Sequence, residues 1–252
     1  MRPKIKIGIT GSDGNVGSAL RIAFTDQYDL SLFTLDTVDY ESIIADLSDA
    51  DQVEGIFDGL DCVIHLAADI SARSPWESIL PNNIIATQNL FTEAIRAGVK
   101  KIVFASTNHV QHGYYMQDDL PHVTDASITR KHKIDDPPFP DSIYGVSKLF
   151  GENLGRYYSK AAGIQFIALR IGWIPPYSDD PACKDGTEQE SHLRALYLSK
   201  RDCIHAFKRA IEVKTDFLVA YATSDNRQFG IFDLEESKAK LGYNPQDSSD
   251  RE

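Results

Sequence analysis

Two rhythms of apolar positions alternate along the chain. Residues 4–9 interleave Ile5, Ile7 and Ile9 with charged or small residues, the period of a strand; Val16, Ala19, Leu20 and Ala23 then form a helical stripe. A second strand is predicted over 30–35, and a helix starting near Ser48 or Asp49. Residues 61–68 and 101–109 are nearly continuous apolar runs, as buried parallel strands require. Between them a helix over 84–97 is closed by Gly98. Ile143, Val146, Phe150, Leu154, Tyr157 and Ala161 make the stripe of a long helix ending near Ala162, with Ser147, Gly151 and Gly155 small enough for close packing. Strands over 165–171 and 217–221, helices over 193–198 and 202–211, and a short helix over 234–241 complete the pattern; the tail beyond reads as disordered. This alternation predicts an α/β protein, a Rossmann-like doubly wound parallel sheet. Residues 1–170 would form its core with the long helix, and residues 171–252 a small C-terminal region interleaved with it in one structural domain.

One stretch breaks the rhythm. Residues 114–141 are polar, carry four prolines and hold the basic cluster Arg130-Lys131-His132-Lys133. They read as an irregular excursion over the mouth of a site, in which the basic cluster either attracts an anion or is simply solvated. Composition adds exclusions. With 42% hydrophobic and 25% charged residues and a net charge of −11, the chain is an ordinary globular protein with an acidic surface, which argues against nucleic-acid or anionic-membrane partners. No run of 18 apolar residues and no signal-peptide core is present. Cys62, Cys183 and Cys203 lack paired spacing, so neither a disulfide framework nor a zinc site is expected, and a cytoplasmic protein is. His65, inside an apolar run, reads as a hydrogen-bonded core histidine, and no metal is expected.

The candidate chemistry lies at strand ends. Thr10-Gly11-Ser12-Asp13-Gly14-Asn15-Val16-Gly17 joins the first strand to the first helix, the setting in which glycines admit a tight turn, a pyrophosphate and close helix packing. Asp36, roughly 20 residues on, suits an adenosine ribose and would repel a 2′-phosphate, favouring NAD over NADP; Asp39 competes for that role. Asp46, followed by Leu47, could contact adenine. Ala67-Ala68 after Leu66 would let a cofactor lie against the backbone, and Ser71 and Arg73 come next in a loop able to reach a substrate. Thr107, Asn108 and His109 end another strand where a ligand crevice opens. Tyr144 and Lys148, four apart on a helix, share a face, and an ammonium beside a phenol lowers its pKa towards that of a usable base. A surface Tyr/Lys pair has the same spacing.

Taken together in order, Thr10-Gly11-x-x-Gly14-x-x-Gly17, Asp36, Asp46-Leu47, His65-Leu66-Ala67-Ala68, Asn83, Ser106-Thr107 and Tyr144-x-x-x-Lys148 resemble the extended short-chain dehydrogenase/reductases, the NAD-dependent epimerase/dehydratase branch. Phe104 to His109, the run from Tyr144 to Glu152, and Arg170-Ile171-Gly172 are similar to uronate dehydrogenases and haloarchaeal NAD-dependent glucose-6-phosphate dehydrogenases. The resemblance implies Tyr144 as base, Lys148 as the residue that binds the nicotinamide ribose and lowers the tyrosine pKa, and Thr107 on the reacting hydroxyl. It implies that Gly11, Asp13, Gly14, Asn15, Val16, Asp36, Asp46, Leu47, Leu66, Ala67, Ala68, Asn83, Lys148 and Ile171 hold NAD. Ser71, Asn108, His109, Tyr144 and Arg194 would hold the sugar, although Trp173 stands where uronate dehydrogenases carry a serine. The implied reaction oxidises a sugar hydroxyl, C1–OH to a lactone. A nucleotide-sugar epimerase or dehydratase, and a non-catalytic NAD-sensing protein, are the alternatives. Self-association into a homo-oligomer is a further expectation, which Gly151 and Gly155 would permit.

Overall fold

The computed structural model describes residues 3–117, 120–121 and 130–251. Strands β1 (Lys6–Thr10), β2 (Asp29–Thr34), β3 (Ile43–Ile44), β4 (Cys62–His65), β5 (Lys101–Thr107), β8 (Gln165–Ile171) and β9 (Phe217–Ala222) form one sheet. Its order is β3-β2-β1-β4-β5-β8-β9 and every pairing is parallel. β4 and β5 are buried at every position, as their nearly continuous apolar runs lead one to expect. Helices α1 (Asn15–Phe24) and α7 (Lys200–Glu212) cover one face, packing Leu20, Phe24 and Phe207 on Ile7, Ile9 and Ile64. On the other face α4 (Ala86–Arg96) and α5 (Ile143–Ala162) lie over Phe104 and Phe166. The sheet is therefore the doubly wound one expected, and its order reverses between β1 and β4. At such a reversal the loops from adjacent strands leave in opposite directions and open a crevice at the carboxyl ends.

Several boundaries differ from the sequence pattern for identifiable reasons. The helix expected near Ser48 or Asp49 is a single turn, α2 (Ala50–Val53), capped by the Asp49 carboxylate on the Asp51 N–H. The helix expected over 84–97 begins earlier, as α3 (Trp76–Ile79), and passes through a π-helical turn at Leu80–Ile85 before α4. Pro81 has no N–H to donate, so the helix widens there instead of breaking. The C-terminal tail is ordered. Tyr243 is fully buried and donates its hydroxyl to the Thr223 carbonyl at 2.8 Å. Beyond it, Ser199 donates to Asp247 at 2.6 Å, and Ser249 bonds Asn226 and the Arg194 carbonyl. Polar bonds rather than an apolar stripe hold this segment, which is why periodicity missed it. The excursion carries a short hairpin of β6 (Met116–Gln117) and β7 (Leu120–Pro121), and His132 exchanges backbone bonds with Ile231 and Asp233. Its expected irregular residues 118–119 and 122–129 lie outside the described residues. No described helix is long and apolar enough to cross a membrane.

Two buried charges anchor helices to the sheet. Lys101, at the start of β5, donates to the carbonyls of Ala210, Ile211 and Val213 at 3.1, 2.6 and 2.5 Å, capping the C-terminus of α7. Glu152, halfway along α5, receives both arms of Arg170 from β8 at 2.8 Å and the Ser106 hydroxyl from β5 at 2.5 Å. Beside it, a side chain at Gly151 or Gly155 would strike the rings of Phe104 or Phe166, at 2.4 and 2.2 Å. These glycines thus seat the helix on the sheet rather than offering a stripe to a second copy. Glu152→Ala leaves the Arg170 guanidinium buried without its counter-ion, so unfolding in denaturant should show a loss of about 3–5 kcal/mol.

Candidate active site

A cavity of about 720 Å³ runs along the carboxyl ends of the strands. The turn after β1 forms its floor at one end. Gly11 holds φ +64°, and a Cβ at Gly17 would lie 2.1 Å from the Gly11 carbonyl, so the turn closes only with glycine at these points. Helix α1 then starts at Asn15 with neither a side-chain cap nor an acid in its first turn, leaving its first N–H groups for an anion. His65 braces this floor from below. The Thr10 hydroxyl accepts the N–H groups of Leu66 and Ala67 and so donates to His65 Nδ1 at 2.9 Å; His65 Nε2 meets Thr87 at 3.2 Å. Burial pushes the His65 pKa down to about 3, and the ring is the neutral core histidine expected. Asn15 reaches across the cavity to the Ile174 carbonyl at 3.3 Å.

The residues of the expected cofactor set separate into two groups. Gly11, Asp13, Gly14, Asn15, Val16, Asp46, Leu47, Leu66, Ala67, Ala68, Lys148 and Ile171 line the cavity. Asp36 does not; it is exposed just beyond the lining residue Leu35, at the end of β2. Asn83 is buried outside the lining, and its amide is used up. Its oxygen accepts the Asp69 N–H, and its nitrogen donates to the Asp69 carbonyl and the Ser147 hydroxyl, at 2.8, 2.9 and 2.9 Å. Asn83 therefore ties the loop after β4 to the helix carrying Tyr144. The uncapped helix, the glycine turn and the elongated cavity fit a dinucleotide.

At the other end Thr107, Tyr144 and Lys148 converge with Asp69, Asn108, His109, Trp173 and His192. Ser142 caps α5, donating to Asp141 and accepting from the Gly145 N–H, which fixes Tyr144 one residue into the helix. The tyrosine is 6% exposed and Lys148 3%. The expected electrostatics are reversed in the protein alone. Burial pushes the Tyr144 phenol up to about 12 while the Thr107 hydrogen bond pulls against it and Asp69 and Asp141 add to the rise. Burial also brings Lys148 down to about 7, with its Nζ 4.8 Å from the Phe104 ring centre and 5.9 Å from that of Tyr144. Desolvation dominates both shifts.

Two expected substrate residues are elsewhere. Ser71 is exposed outside the lining, and its hydroxyl accepts the Arg73 N–H in a local turn. Arg194, on α6 (Glu190–Leu196), is 4% exposed and outside the lining; its guanidinium grips both oxygens of Asp185 and the Ser249 carbonyl. It closes the C-terminal tail over the domain. The basic cluster is likewise outside the cavity, with Arg130 paired to Asp136 at 2.8 Å. Asn108 and His109 do line it. His109 Nδ1 lies 2.7 Å from Asp141, and the buried His112 contacts the same carboxylate at 3.5 Å. Burial pushes Asp141 up, but the bonds from His109, His112 and Ser142 hold its carboxyl well below the usual range. Sequence reasoning passed over Asp141, His112 and His192, which no spacing links and only the excursion's return brings together.

A glycine turn under an uncapped helix, with a buried Tyr/Lys pair at the far end of one cavity, defines a dinucleotide-binding oxidoreductase site. The pattern of the NAD dependent epimerase/dehydratase family matches residues 7–178, and the chain belongs to that family. L-arabinose 1-dehydrogenase (NAD(P)(+)) of Haloferax volcanii is 36% identical, with 97% of each chain covered. NAD-dependent glucose-6-phosphate dehydrogenase of the same organism is 35% identical over 96% of this chain and 93% of its own. A mutant uronate dehydrogenase from Agrobacterium tumefaciens, solved in complex with NAD, superposes with a TM-score of 0.80 at 30% identity, covering 97% of this chain and 86% of that one.

The depressed lysine has a measurable consequence. Its folded value lies below the ordinary 10.5. The buried ammonium therefore costs stability that grows as pH falls from about 10.5 to about 7 and is constant below. Lys148→Met should raise the melting temperature of the cofactor-free protein at pH 7, and the gain should vanish near pH 10.5.

Proposed function

We propose that this protein is an NAD-dependent sugar dehydrogenase that oxidises a ring hydroxyl, C1–OH of an aldose derivative, to the lactone. The observation that carries it is the buried triad of Thr107, Tyr144 and Lys148 at the end of a dinucleotide-shaped cavity. NAD⁺, when bound, supplies the two-electron acceptor. The protein does the rest. Gly11, Gly14 and the start of α1 hold the pyrophosphate, Asp46 and Leu47 flank the adenosine end, and Lys148 holds the nicotinamide ribose. Thr107 and Tyr144, hydrogen-bonded to each other, both address the substrate hydroxyl. As C1–H leaves as hydride, the hydroxyl proton passes to Tyr144 Oη and the C1–O bond becomes the lactone carbonyl. Protonated Lys148 steadies the phenolate this base requires, against the burial that otherwise keeps the phenol protonated. Asp141 and Ser142 set the position of His109 and of the helix start, so the hydroxyl is met by groups already in place.

Tyr144→Phe removes the proton acceptor while keeping the ring's packing. kcat should fall by about 10²–10⁴-fold with NAD affinity retained, as read by initial rates and by NADH fluorescence titration; undiminished turnover would sink the assignment. Net accumulation of NADH from a free sugar separates this reaction from epimerase chemistry, in which the cofactor returns to its starting state. Asp36, just past the lining, is the residue proposed to disfavour a 2′-phosphate, so Asp36→Ser should raise the kcat/KM ratio of NADP to NAD by about tenfold.

A further inference from the structure

We propose that the sugar taken by this site is a neutral aldose rather than a sugar phosphate or a uronate, a choice that rests on the sugar-dehydrogenase reading above. The named relatives act on both kinds, so kinship alone leaves the charge of the substrate open. The charges around the reacting end decide it. Among the described residues Lys148 is the sole lysine or arginine lining the cavity, and it sits against the Tyr144 and Phe104 rings. Three arginines that could be thought to serve an anion are committed or turned away. Arg194 holds Asp185 and the Ser249 carbonyl, Arg130 holds Asp136, and Arg73 is exposed outside the lining. Residues 118–119 and 122–129 of the excursion contain no lysine or arginine at all.

Negative charge, by contrast, is already in place. Asp69 lines the cavity, its carboxylate fixed by the Ser71 N–H and the hydroxyls of Ser74 and Ser78 at 3.1, 2.8 and 2.5 Å. Asp141 stands behind His109. Its carboxylate is shared by His109 and the buried His112. A phosphate or carboxylate placed here would surrender its hydration to a site with one carboxylate in its wall, a second behind His109 and, among the described residues, no guanidinium, a cost that attraction to one buried ammonium does not offset. Neutral hydroxyls are well served. Asn108 donates its amide to the Ile171 carbonyl at 3.0 Å, which fixes this uncharged polar side chain in the cavity wall. Trp173, which lines the cavity, is pinned by backbone bonds to Leu196 and Leu198 at 2.7 and 2.8 Å and adds an uncharged aromatic side chain to the wall.

The test is NADH formation by the intact protein across matched pairs, D-glucose against D-glucose 6-phosphate and D-galactose against D-galacturonate, with L-arabinose and D-xylose alongside. The expected result is that the highest kcat/KM belongs to a neutral aldose and exceeds that of every anionic sugar by at least about tenfold. A phosphorylated sugar or a uronate at the head of the panel, or equal to the best neutral sugar, would overturn the proposal while leaving the dehydrogenase reading intact. NADH from none of the sugars would overturn both.

Discussion

The buried contact between Glu152 and Arg170 is what fixes the active site in space. Its carboxylate takes both arms of the guanidinium and the Ser106 hydroxyl, joining α5 to β8 and β5 in one bond cluster. Thr107 is next to Ser106 in the strand, and Lys148 and Tyr144 precede Glu152 by one and two turns of helix, so the cluster sets how these three side chains face one another. The close seating of Gly151 and Gly155 on Phe104 and Phe166 leaves the helix no freedom to slide. Such a pair contributes little net stability against an apolar alternative, because both ions lose their water. What it contributes is register, a geometry that an apolar contact would leave free to rotate.

Desolvation is the second constraint, and it acts on the chemistry itself. The same burial that fixes Tyr144 raises its pKa, and the same burial that brings Lys148 close lowers that of the lysine. A pair whose spacing suggests mutual activation is thus, in the protein alone, mutually neutral. On the function proposed above, a further charge beside the pair would be needed before the phenol acts as a base, which would tie proton removal to occupation of the cavity.

Most of the sheet was legible because the middles of parallel strands buried on both faces must be apolar, and residues 102–105 and 166–169 are. The glycine turn was legible because its backbone tolerates nothing else. Legibility failed where single polar side chains decide the structure. Asn83 lies in a position that suggests a ligand contact, yet its amide is spent on Asp69 and Ser147. Arg194 has the charge expected of an anion binder, but Asp185 in the loop before α6 and Ser249 in the polar tail claim it first. Spacing along a helix or strand reports which face a residue occupies; it does not report which of several distant partners takes its hydrogen bonds.

The C-terminal segment carries that limit into the substrate end of the cavity. Its order comes from Asp247 on Ser199 and Arg201, Ser249 on Asn226, and Tyr243 under Thr223. These bonds close the end of the chain over α6 and α7, and the Trp173 backbone pairs with the connection between those two helices. The tail therefore fixes one wall of the substrate end through Leu196 and Leu198, and removes Arg194 from it. Keeping an arginine as a strut rather than as a ligand is a choice about specificity: the guanidinium stabilises the closed tail, and the wall it leaves behind is aromatic and uncharged.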